Sequence, residues 1–193
     1  MTKMNFQSEK LGQIDGVYTW QMPVFSDVRG RLFKAYVAEK EGSFPVPFIT
    51  YEHFFTESKK HVFRGMHFQA EPHAVAKIIS LVRGTALIFL LDTRKISPTY
   101  GLLQQETVNQ NSPMSIYIPI GVALGYLVLE DETVMSYRTS GAFCGNCDAG
   151  VSPKVVSPYL PIPLEETIRS ERDLTLDKSI EVLSPSLCLQ EKP

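Results

Sequence analysis

Long apolar runs are missing from this 193-residue chain, and so is a charge excess of either sign. The longest apolar stretch, Ser115–Leu129, is interrupted by Pro119, Gly121 and Gly125, too short and too broken to cross a bilayer. The net charge of -2 comes without any long run of one sign, which speaks against nucleic acid held on a broad basic face. Met1–Gly16 has no apolar core of the kind a secretory signal needs. Cysteine is scarce: three, an odd number, which together with the missing signal points to a reducing cytoplasm. Glycine-rich phosphate loops and Gly-x-Ser-x-Gly elbows are absent. No segment of ten or more residues carries a strong 3.6-residue apolar period. The best helical stretch, Glu165–Lys178, is mostly polar and reads as short turns.

What the chain has in quantity is short runs rich in β-branched and aromatic residues. Val17–Met22, Arg31–Val37, Phe48–Phe55, His61–Gln69, Ala76–Val82, Thr85–Leu91, Ser115–Ile118, Gly125–Leu129 and Thr133–Thr139 all read as strands. Turn chemistry separates them at Asp27–Gly30, Arg83-Gly84, Ser97–Thr99 and Pro119–Gly121. Ala86–Leu91 is apolar at every position, so both of its faces must be covered. This spacing predicts an all-β, jelly-roll barrel or sandwich with short peripheral helical turns, in one domain over residues 1–193. After Pro153 a return strand and then, from about 160 to 193, an extended tail packing on the domain are expected.

Chemistry concentrates around His67. Strict alternation along a strand would put Phe63, Gly65, His67 and Gln69 on one face. A lone histidine there is commonly a satisfied core residue. Arg64 and Lys77 converging on an apolar interior ask for more, because burying polar groups without partners is costly. Lys77 could snorkel at an edge or stabilise an enolate or phosphate oxygen. Arg29 sits in a turn, as a solvated charge or a phosphate fork. Tyr137 by itself reads as packing. Cys144-Gly-Asn-Cys147 has no second ligand pair at finger-like spacing, and His61, His67 and His73 cannot share one strand as a triad. No metal site is expected.

Taken in order, Phe25-Ser-Asp-Val-Arg-Gly30, Arg64-Gly-Met-His-Phe-Gln69, Lys77, Leu91-Asp-Thr-Arg94 with Ser97-Pro-Thr-Tyr-Gly101, and Tyr117-Ile-Pro119 resemble the dTDP-4-dehydrorhamnose 3,5-epimerase family. The resemblance runs from about Val24 to Tyr137. It implies a cupin fold, a homodimer, no cofactor, and a nucleotide-linked 4-keto-6-deoxyhexose as substrate, in deoxysugar or O-antigen synthesis. It makes His67 the base, Tyr137 the general acid and Lys77 the cation at the keto oxygen. Arg29, Arg64, Glu52 and Gln69 become substrate-binding residues.

Three departures from the family pattern carry expectations. Leu124 stands where the family usually has a histidine, and Phe143 where it has a second tyrosine. The carboxylate partner of the base should follow Gly150, but Val151–Val156 holds none, leaving Asp148 or Asp173 to replace it. A single-centre epimerase (C3 or C5 alone) is expected on these grounds. The alternatives are an inactive sugar-nucleotide-binding member or a related 3,4-ketoisomerase.

Overall fold

The computed structural model describes residues 8–10, 14–35, 48–182 and 184–187. Among them, strands β1 (Ser8–Lys10), β2 (Tyr18–Gln21), β5 (Glu52–Ser58), β7 (Lys77–Arg83), β10 (Met114–Ile118) and β12 (Thr133–Thr139) form one six-stranded sheet, in the order β1-β2-β10-β7-β12-β5. The second sheet holds β6 (Phe63–Gln69), β8 (Thr85–Asp92), β9 (Leu102–Asn109), β11 (Val122–Val128), β13 (Asp148–Gly150) and β14 (Ser184–Leu187), in the order β13-β6-β11-β8-β9-β14. A separate hairpin pairs β3 (Val24–Asp27) with β4 (Gly30–Phe33) through the predicted Asp27–Gly30 turn. Pairing is antiparallel except for β14 beside β9. These are the two facing sheets of the expected all-β cupin architecture.

The core follows from β8. Ala86, Ile88 and Leu90 enter the space between the sheets with Ile79, Leu81, Ile116 and Met135. Leu87, Phe89 and Leu91 face the other way and pack with Phe63, Met66, Val151, Val156 and Ile180. The uninterrupted apolar run is thus explained by two covers, each buried side chain contributing about 1.5–3 kcal/mol. The outer cover comes partly from the 3-10 turn Pro153–Tyr159, which takes the place of the expected return strand; that strand is β13, just upstream. Glu165–Lys178 does resolve into short turns, Leu164–Glu166 and a four-residue helix α1, Glu171–Leu174. The tail from about 160 includes α1 and β14, so it is built into the sheet and the site rather than merely laid over them. Residues 36–37 of the expected Arg31–Val37 strand lie outside the described residues.

β9 escaped sequence reading because Leu-Leu-Gln-Gln-Glu-Thr-Val-Asn is too polar to read as an inner strand. Pairing with β8 and β14 buries it all the same, and burial alone pushes the Glu106 carboxyl up. At the end of β8, Asp92 is fully buried. Its carboxylate accepts from Arg94 Nε (2.8 Å) and Nη2 (2.7 Å), and from the Ser97 and Thr99 hydroxyls (both 2.6 Å). The Leu91–Arg94 and Ser97–Gly101 motifs are therefore a latch on the β8–β9 connection.

Candidate active site

A cavity of about 460 Å³ opens between the sheets, and the residues singled out around His67 line it. The chain brings them together through a break in alternation. In the β6–β11 pairing Leu124 opposes His67 and Tyr126 opposes Arg64, so three steps on β6 match two on β11. The extra residue is a bulge, and it turns Arg64 onto the same face as His67 while Phe63 and Met66 go to the opposite core. The expected shared face of Phe63, Gly65 and His67 is corrected accordingly. Gly65 makes the bulge possible: its φ is +124°, and a Cβ there would lie 2.4 Å from Gly125 Cα.

The absent partner of the histidine is present after all. His67 Nε2 lies 2.5 Å from Asp173 Oδ1, and that carboxylate is buried. Asp173 rides on α1, whose N-cap Ser170 accepts a hydrogen bond from the Asp173 N–H at 3.2 Å. The Ile168 backbone, joined to His61 O (2.9 Å) and to Phe63 N–H (3.0 Å), ties this segment to the start of β6. Burial would raise the Asp173 carboxyl, but bonding to His67, the charge of His67, the Ser170 cap and Arg172 together hold it below the ordinary carboxylate value. A carboxylate at Nε2 fixes that nitrogen as the protonated one and leaves Nδ1 as the basic atom. Asp148, the other candidate, pairs instead with Arg172 at 2.5 Å.

Lys77 comes from β7 in the facing sheet. Desolvation lowers its pKa to about 8, with Asp148 raising and Arg172 lowering it further. Its Nζ reaches the His67 carbonyl at 3.4 Å. Tyr137, on β12, is stacked on Phe54 of β5 with ring centroids 5.0 Å apart and planes at 5°. Burial first, then the Tyr126 hydroxyl, push the Tyr137 phenol well above its ordinary value, against the smaller pull of Arg64 and Thr56. It therefore holds its proton at neutral pH. Tyr126 bonds Thr56 Oγ1 at 2.9 Å, and Leu124 presents an apolar wall beside His67.

The remaining predicted residues part company. Arg64 lines the cavity with its Nε bonded to Ser58 Oγ at 3.1 Å. Glu52 lines it too and accepts from the Phe143 N–H at 3.2 Å. Gln69 also lines the cavity, but its amide is taken: Nε2 donates to the His73 and Ala142 carbonyls, and Oε1 accepts from Cys144 N–H. It braces the rim rather than offering free donors. Arg29 is not at the cavity. It is exposed on the β3–β4 turn and forks onto Asp27. Sequence reasoning left Arg172, Tyr126, Thr56 and Phe54 outside its site, and only weakly marked Asp173. The one visible signal was Ser170-x-x-Asp173, a capping pattern that announces a helix start.

The family described as dTDP-4-dehydrorhamnose 3,5-epimerase matches residues 12–180. An enzyme of that name from Shigella flexneri is 28% identical over 172 residues, covering 88% of this chain and 94% of its own length. A dTDP-4-dehydrorhamnose 3-epimerase from Streptomyces niveus is 32% identical over 118 residues, 60% of this chain and 56% of its own. Among solved structures, a 4-keto-6-deoxy sugar epimerase from Streptomyces spheroides superposes with a TM-score of 0.80. Its identity is 27%, with 91% of this chain and 88% of that one covered.

Proposed function

Because this chain belongs to the dTDP-4-dehydrorhamnose 3,5-epimerase family, we propose that it epimerises a nucleotide-linked 4-keto-6-deoxyhexose in deoxysugar synthesis. The observation that carries the reading is the His67–Asp173 pair on one side of the cavity with Lys77 and Tyr137 on the other. A C4 ketone acidifies the C–H bonds at C3 and C5. Nδ1 of His67 removes one such proton, and Asp173 stabilises the imidazolium that results. The Lys77 ammonium lies with the enolate oxygen, where charge develops, in a site that excludes much of the water. Tyr137, held neutral by burial, returns a proton from the sheet facing the base. Base and acid on opposite sides of a planar enolate is the arrangement that inverts a centre.

Arg64 supplies positive charge on the cavity wall for a diphosphate, while Arg172 is already paired with Asp148. Glu52 and Phe143, joined by the Phe143 N–H, also line the cavity and offer a polar and an aromatic surface to the nucleoside. Leu124 in place of a second histidine favours inversion at one centre. The carboxylate beside His67 counts against an inactive binding member, and a single histidine among the described cavity residues counts against a ketoisomerase. Residues 1–193 act as one catalytic domain, in the cytoplasm where nucleotide sugars are made.

A homodimer completes the reading. The β3–β4 hairpin exposes Phe25 (46%) and Leu32 (55%), too much apolar surface for a solvated loop. A second copy seated there would bring Arg29 to the neighbouring cavity.

The test is hydrogen exchange in deuterated water, with dTDP-4-keto-6-deoxyglucose first and CDP- and GDP-linked analogues beside it. Deuterium should enter C3, C5 or both, and the pattern names the reaction. His67→Asn should stop exchange, and Asp173→Asn should slow it by about 10²–10⁴-fold, both with nucleotide binding nearly unchanged. Wild-type exchange in His67→Asn would assign the base elsewhere, and wild-type exchange in Asp173→Asn would show that the carboxylate is not needed by the base.

A further inference from the structure

Cys144 and Cys147, which have no second ligand pair in the sequence, gain a third candidate ligand in the fold. Cys144-Gly-Asn-Cys147 closes a 3-10 turn in which the Cys147 N–H donates to the Cys144 carbonyl at 3.0 Å. Its sulfurs lie 2.8 Å apart. The β6–β7 connection brings His73 to the same place, so that one ring nitrogen of His73 and both sulfurs all lie within 4.8 Å of one another. No single strand could have supplied this set; two loops do, one on each side of the rim.

We propose that His73, Cys144 and Cys147 bind a borderline-soft divalent cation, Zn²⁺ by preference, at the rim of the cavity. Two thiolates and an imidazole are the donor types zinc selects over harder ions, and the fourth tetrahedral position falls to solvent. Two thiolates on one tetrahedral zinc at about 2.3 Å sit about 3.8 Å apart, so the ion must open the 2.8 Å sulfur contact, whereas a disulfide would close it and leave His73 without a part. The ion would clamp the β6–β7 loop to the segment that follows β12. Gln69 already bridges these two segments, donating to His73 O and Ala142 O and accepting from Cys144 N–H. Phe143 and Val75, which line the cavity, sit on the clamped segments. The metal is thus a fastener of the cavity mouth, with no part in moving the proton.

The test uses the full chain, kept reduced, stripped with a chelator and titrated with Co²⁺ and Zn²⁺. One Co²⁺ per chain should produce thiolate-to-metal charge-transfer absorption and the visible bands of a tetrahedral site, and Zn²⁺ should displace it. Cys144→Ser and Cys147→Ser should each abolish the charge-transfer band or weaken binding by at least about 100-fold, and His73→Ala by about 10–100-fold. Cys188→Ser, at a position outside the described residues, should leave the spectrum unchanged. Zinc removal should raise KM for the nucleotide sugar with little change in kcat. Failure to bind either ion at micromolar concentration would overturn the inference, as would a cobalt spectrum that survives Cys144→Ser. So would a Cys144–Cys147 disulfide forming under mild oxidant in a chain that takes up no metal when reduced. Apart from the KM change, none of these readouts depends on the sugar, so they stand apart from the exchange experiment.

Discussion

Lys77 is costly to the fold, and the proposed chemistry gives the same cation a use in the site. Its folded pKa of about 8 lies below the ordinary 10.5, because burial disfavours the cation. The folded state therefore releases this proton more readily than the unfolded one. Below pH 8 the buried cation costs on the order of 3 kcal/mol, and stability recovers as pH rises from about 8 to 10.5. Lys77→Met is expected to raise Tm at pH 7, with the advantage shrinking towards pH 10.5. The same change should lower kcat by about 10²–10³-fold, while wild-type activity declines as pH passes about 8 and the cation is lost. Parallel thermal melts and pH–rate profiles check both halves; a variant no more stable than wild type at pH 7 would contradict the buried-cation account. The phenol of Tyr137 shares this logic without the cost, since burial keeps it neutral and loaded.

At the scale of elements, β6 is the decisive strand. A regular strand would have sent Arg64 away from the cavity, and the bulge at Gly65 turns it back. Gly65→Ala meets the Gly125 backbone at 2.4 Å and a φ of +124°, neither of which a flexible side chain can relieve. We expect a loss of about 2–4 kcal/mol in urea unfolding, and a fall in kcat that outlasts any correction for unfolded protein. A kcat at the wild-type level would mean that the bulge does not set the position of His67. The helix α1 is the complementary device. Four residues with a serine cap have little stability of their own, so the His67–Asp173 contact helps to hold α1 in place as much as α1 aims the carboxylate.

For the whole molecule, Arg29 lies away from the cavity of its own chain, so a role for it in substrate binding requires a second copy. If two copies exchange hairpins, Arg29 of the partner subunit completes each site. Arg29→Ala and His67→Asn chains should each be nearly inactive alone. Mixed and reassembled in equal amounts, half the dimers are hybrids with one complete site, so roughly a quarter of the wild-type activity should return. No recovery on mixing, with a dimer confirmed by sedimentation, would show that Arg29 acts within its own chain or not at all.

Composition and pattern alone determined the class of this protein. Alternation and turn residues fixed an all-β fold, the seamless apolar run of β8 required two covers, and the ordered motifs indicated the epimerase family, whose likeness proposes His67, Lys77 and Tyr137 as the chemical centre. Local sequence carries these features because each depends on neighbours one or two residues away, or on the solvent a face meets. The tertiary structure decided the rest. It decided that Asp173, from a polar stretch with only a cap signal, would meet His67, and that Arg64 would share its face through a bulge. It decided that Gln69 would brace a loop, and that His73 would join Cys144 and Cys147. Each of these depends on which segments two stacked sheets bring to the same rim, and contacts between residues so far apart in the chain leave no periodicity to read.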